Sequence, residues 1–113
     1  MRVDASYQAQ VDCEIERFIS KLRQLSYDEA AELPTEVGED IRLSGAKCSV
    51  TVFTLRGPYS QPNSLLIAVQ VARHGALGIA SYHTERGLVF SSDAPVREAT
   101  ELELQNSGGG NAA

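Results

Sequence analysis

The chain has 113 residues, of which 42% are hydrophobic and 22% charged, and it carries a formal net charge of −5. That length and ordinary globular composition fit one folded domain, and the acidic balance argues against a general nucleic-acid binder. The longest unbroken apolar run, Leu65 to Val69, is too short to cross a bilayer, and Met1-Arg2-Val3-Asp4 lacks the apolar stretch of a secretory leader. The expectation is therefore a cytoplasmic protein without membrane association.

The charge is unevenly spread. Residues 1–40 balance at −6, residues 41–97 at +4 and the rest at −3. Between Arg23 and Arg42 stand six carboxylates, Asp28, Glu29, Glu32, Glu36, Glu39 and Asp40, with no basic residue among them. They form a candidate acidic surface, suited to a cationic partner.

Val11, Ile15, Phe18, Leu22 and Leu25 fall within a stripe about 80° wide at the helical period, with Ile19 on its flank. This predicts an amphipathic helix over roughly residues 6–25 lying on a core. Ser26-Tyr27-Asp28-Glu29 has the spacing of a capping box and predicts a short second helix from Tyr27 to about Leu33, stopped by Pro34. From Pro34 to Lys47 the chain is polar, with at most a short extended piece at Ile41 to Leu43.

The period then changes. Cys48 to Leu55 and Ser64 to Arg73 are rich in β-branched and aliphatic residues, the second reading as a central, largely buried strand. His74-Gly75 predicts a two-residue hairpin turn into a third strand, Ala76 to Thr84. Glu85-Arg86-Gly87 predicts a bulged hairpin into a fourth, Leu88 to Ser91. The fold expected is α+β: a long N-terminal helix and a short second helix packed on one face of a four-stranded antiparallel meander.

Those turns set a register in which Tyr82 pairs with both Ile67 and Phe90. One face gathers Leu65, Ile67, Val69, Val71, Ala80, Tyr82, Leu88 and Phe90 against the helix. The other face, with Leu66, Ala68, Leu77, Ile79 and Val89, is less polar than a solvated face. It suits either a homodimer contact or cover by the second helix or the C-terminal segment. Ser92-Asp93-Ala94-Pro95 is a turn-forming cluster, and Thr100 is placed to cap a brief helical turn from Glu101 to Leu104. The domain is expected over residues 1–105, with 106–113 a disordered tail containing three consecutive glycines.

No phosphate loop, paired-cysteine motif, zinc-protease motif or nucleophile elbow occurs in the sequence. Neither a metal nor a cofactor is expected, because the two cysteines and two histidines lack ligand spacing. Cys48 reads as a core residue, and Cys13 falls on the polar side of the helix. The meander brings the loop after the first strand and the third hairpin to one end of the sheet. That juxtaposition would group Arg56, Tyr59 and Asn63 with His83, Glu85 and Arg86 as a binding constellation. His83 and Glu85 would form an acid/base pair there, with Arg56 or Arg86 to hold an anion. Asp93 is a further acid/base candidate, grouped with His74 at the opposite end.

Three functions fit this reading. The foremost is a small non-catalytic protein-interaction module of the immunity, chaperone-like or adaptor type, with a protein partner or a second copy. The alternatives are a small-ligand-binding domain or enzyme with a pocket between helix and sheet beside Gly78, Ala80 and Tyr82, and a structural homodimer using the second sheet face.

Overall fold

The computed structural model describes residues 5–43, 45–56, 64–74 and 80–106. Its elements are α1 (Ala5–Leu22), α2 (Tyr27–Ala31), β1 (Glu36–Leu43), β2 (Ala46–Arg56), β3 (Ser64–His74), β4 (Ala80–Ser91), β5 (Ala94–Glu98) and α3 (Glu101–Asn106). The strands form one antiparallel sheet in the order β1-β2-β3-β4-β5. The helix-on-meander architecture agrees with the sequence; the strand count does not. Among the described residues the sheet has five strands, not the four expected.

The count changes in three places. β1 extends over eight residues where only Ile41 to Leu43 was expected. It turns into β2 so that Leu43 pairs with Ala46, with Gly45 at φ 80°, a conformation open to glycine. The expected third and fourth strands are a single strand, β4, which runs unbroken through Glu85, Arg86 and Gly87. β5 occupies the segment read as a turn, pairing Glu98 with Leu88 and Arg97 with Val89.

The register shifts accordingly. His74 still pairs, with Ala80, so the connection lies in 75–79, outside the described residues, and not at His74-Gly75. Ile67 faces Leu88, Leu65 faces Phe90 and Tyr82 faces Arg73, in place of the Tyr82 pairings expected. The alternation of faces along β3 survives this shift, because it depends on the strand and not on the turn.

On the α1 side, Tyr7, Val11, Ile15 and Ile19 of the helix meet Val50, Leu65, Ile67, Val69, Val71, Leu88 and Phe90. Each is at most 3% exposed, and burial of such side chains contributes about 1.5–3 kcal/mol apiece before entropy is counted. The centre of the stripe is thus the i, i+4 row from Tyr7 to Ile19. Phe18 and Leu22 are its half-buried flank, and the Arg17 guanidinium lies 5.1 Å from the Phe18 ring centroid. Ala30 of α2 enters the same core. The capping box of α2 is formed as the sequence implies: Glu29 N–H donates to Ser26 Oγ at 3.1 Å, and Ser26 N–H to Glu29 Oε1 at 2.8 Å.

The other face carries a smaller cluster. Leu66, Ala68 and Val89 are covered by Leu104 of α3, with Phe53, Leu55 and Ala99 at the margin. The close approach depends on Gly87. A Cβ there would stand 2.9 Å from the Ile67 carbonyl oxygen and 2.9 Å from Leu104 Cδ2, so the glycine serves packing within a strand and not a turn. Thr100 caps α3, accepting from Glu103 N–H at 3.1 Å. No helix among the described residues is long and apolar enough to cross a membrane.

Candidate functional site

Among the described residues, Arg56 is not brought beside His83, Glu85 and Arg86, because the hairpin expected to join them is a continuous strand. In the ladder His83 lies opposite Ala72, Glu85 opposite Gln70 and Arg86 opposite Val69, all within the sheet. Arg56 ends β2 opposite Leu65, two strands from Arg86 and four ladder steps along. Tyr59 and Asn63 lie outside the described residues, as do Gly78, Leu77 and Ile79 and the side chains of Arg56, Tyr82 and His83. Asp93 is exposed in the turn between β4 and β5. Since Ser91 pairs with Ser64 at the start of β3, Asp93 is a full strand length from His74, and that grouping is corrected too.

What Arg86 does follows from its place on β4. It stands on the face that α1 covers, and its guanidinium donates to Glu98 through Nε and Nη2, each at 2.9 Å, and to Glu16 of α1 through Nη1 at 2.8 Å. Arg23 reaches Glu98 at 3.4 Å, and Ser20 Oγ donates to Glu16 at 2.9 Å. The fork geometry of guanidinium suits two carboxylates. Hydrogen bonds from Arg86 hold both Glu98 and Glu16 below the ordinary carboxylate range, and the same bonds raise Arg86. The cation is therefore engaged within the fold, tying helix, β4 and β5 together, and is not available to an anion.

A similar clasp holds the C-terminal helix. Arg97 donates to Glu103 at 2.9 and 2.6 Å, and Thr100 N–H donates to the same carboxylate at 2.9 Å. The Arg97 hydrogen bonds, helped by the Thr100 backbone bond and opposed by desolvation, leave Glu103 with a pKa of about 2. Between α1 and the β2–β3 pair, the Tyr7 hydroxyl lies 3.6 Å from Cys48 Sγ, and the Arg73 guanidinium lies 5.1 Å from the Tyr7 ring centroid. Cys48 is buried and Cys13 exposed, both as read from the sequence, and both are free thiols.

The acidic residues divide between two elements. Asp28 and Glu29 stand in the first turn of α2, where the helix dipole favours them, and Glu32 is its C-cap. Glu36, Glu39 and Asp40 lie exposed on β1, and among the described residues none of the three makes an ion pair. No group of three metal-ligating side chains converges among the described residues.

β1 is also where the sheet ends. Thr54 N–H donates to Thr35 O at 2.9 Å, so residues 35 and 54 are a hydrogen-bonded pair of the β1–β2 ladder. Antiparallel pairing alternates, and the register is unshifted to Leu43↔Ala46, so Val37, Glu39, Ile41 and Leu43 bond inward. The backbone N–H and C=O of Glu36, Gly38, Asp40 and Arg42 consequently point away from the sheet. No strand among the described residues pairs with them. The sequence reading missed this site by taking 34–40 as loop. The available signal was Val37, Ile41 and Leu43 at even spacing before Ser44-Gly45, a turn dipeptide.

Comparisons of the chain with protein-family models, with curated proteins and with solved structures find no significant match.

Proposed function

We propose that this chain is a small protein-interaction module, of the immunity, chaperone-like or adaptor kind, that receives an extended segment of a partner along the outer edge of β1. The observation that carries the reading is the outward row of backbone donors and acceptors on Glu36, Gly38, Asp40 and Arg42, on a strand long enough to template another. Added strands gain affinity from main-chain hydrogen bonds and specificity from alternate side chains, which requires no catalytic group. A cytoplasmic setting belongs to the same reading, supported by the two unpaired cysteines.

Gly38→Pro tests it. The Gly38 N–H points outward, so proline removes no bond of the β1–β2 ladder, and a Cβ there meets only Thr51 Oγ1 at 3.6 Å and Val50 O at 3.7 Å. In affinity capture after cross-linking in the source cell, the wild-type chain should retain a partner that Gly38→Pro loses, at unchanged thermal stability. Retention of the same partner at undiminished yield by the variant would overturn the reading.

A further inference from the structure

We infer that the segment taken up by β1 is a basic one, with lysine or arginine at the positions facing Glu36, Glu39 and Asp40; the inference rests on the reading of β1 as a docking edge. The ladder fixes which side chains such a segment would meet. Residues 37, 39 and 41 of β1 share the α1 side of the sheet with Val50 and Cys48, and residues 36, 38, 40 and 42 share the other side. Acids therefore stand on both faces of the edge: Glu39 on the α1 side, and Glu36 and Asp40 on the other, four residues apart with Gly38 between and Arg42 following at the turn end of the strand. An incoming strand presents side chains directly opposite these, at the separation where opposite charges attract and like charges repel. Read antiparallel to β1, the complementary pattern is basic at Asp40, basic at Glu39, unconstrained at Gly38, apolar at the exposed Val37 and basic at Glu36.

A second copy of this chain meets the same edge with an acid facing an acid at the centre of the pairing. Two copies of β1 pairing antiparallel through their even residues have two registers that keep all but one residue of the strand paired, centred on Glu39 or on Asp40. The first sets Glu39 against its own counterpart and Asp40 against Gly38 while placing Glu36 opposite Arg42 on both sides, and the second sets Asp40 against its own counterpart. Nucleic acid fits still less well, since it offers no strand backbone and its phosphates would face carboxylates. A basic polypeptide meets the open backbone and the three carboxylates Glu36, Glu39 and Asp40 together, whereas each self-pairing register leaves one acid facing its own counterpart.

The test is a titration of the isotopically labelled full-length protein followed by amide chemical shifts. One probe is a synthetic peptide with the core Lys-Lys-Thr-Val-Lys between threonines, and the other has glutamate in place of each lysine. The lysine peptide should shift the amides of Glu36, Gly38, Asp40 and Arg42. At low salt it should bind about tenfold more tightly than its glutamate counterpart, and that difference should largely vanish at about 0.5 M salt. The double variant Glu39→Lys, Asp40→Lys should reverse the preference, and Gly38→Pro should remove binding of either peptide. Equal binding of both peptides, lost in Gly38→Pro, overturns the basic partner and leaves the docking edge standing. Lysine-peptide binding that survives Gly38→Pro overturns the edge itself. Absence of saturable shifts at millimolar peptide overturns the inference. So does concentration-dependent shifting of the same amides without peptide, which would make a second copy the occupant.

Discussion

The two outer strands of the sheet treat their charges in opposite ways. β5 is short, carries Pro95, and has its charged residues bound within the molecule: Glu98 to Arg86 and Arg23, and Arg97 to Glu103 of the helix behind it. β1 is longer, has no proline, directs four residues' worth of backbone outward, and leaves Glu36, Glu39 and Asp40 without an ion pair among the described residues. An edge closed by proline and internal ion pairs is protected against pairing; an edge whose three acids outnumber its one base, Arg42, is open to a segment of the opposite sign. The comparison teaches that the net charge of the chain is less informative than where its carboxylates lack partners.

Breaking the closed edge should cost the most. Gly87→Val places a Cβ against the Ile67 carbonyl, a backbone atom that cannot swing aside, and against Leu104. It should destabilise the protein by about 2–3 kcal/mol in urea denaturation and raise hydrogen exchange at Ala99, whose N–H bonds Gly87 O at 2.8 Å. Unchanged stability would show that α3 does not pack there. Arg86→Met comes next. It removes the clasp between Glu16 and Glu98, whose side chains remain partly solvated, so the loss should be about 1–2 kcal/mol and should shrink when Glu98→Gln is already present.

Acid sharpens the same contrast. Glu98 and Glu103 have folded pKa values below those of the unfolded chain, Glu103 at about 2, so the stability they contribute is full above the usual carboxylate range. It is lost as pH falls through that range toward 2. The amides of Ala99 and Glu103 should lose protection over that window before those of the core residues Ile67 and Val69. Simultaneous loss everywhere would mean that the clasps do not hold β5 and α3 separately. The smallest effect on stability is expected at the open edge, where Gly38→Pro should change unfolding by no more than about 0.5 kcal/mol.

Much of this architecture was legible in the residues. The amphipathic period of α1, the Ser26 capping box, the two-sided burial of β3 and the cap at Thr100 are local patterns, and each reappears. What failed depended on tertiary context. Glu85-Arg86-Gly87 has turn chemistry, yet Arg86 finds two carboxylates and Gly87 admits Leu104, so the segment stays extended. That one misreading produced the false grouping of Arg56 with Arg86 and of Asp93 with His74. β5 was hidden because its half-buried Val96 lies between Pro95 and charged residues, which leaves no strand-like alternation. The acidic residues were visible from the start; that three of them lie along an unpaired backbone edge depended on the β1–β2 ladder.

Residue-resolved hydrogen exchange of the free protein tests the edge most directly. Along β1 the amides of Val37, Glu39, Ile41 and Leu43 should be protected and those of Gly38, Asp40 and Arg42 should exchange near the rate of an unstructured chain. Uniform protection of both sets would contradict the account, because the outward amides would then already have partners within the protein.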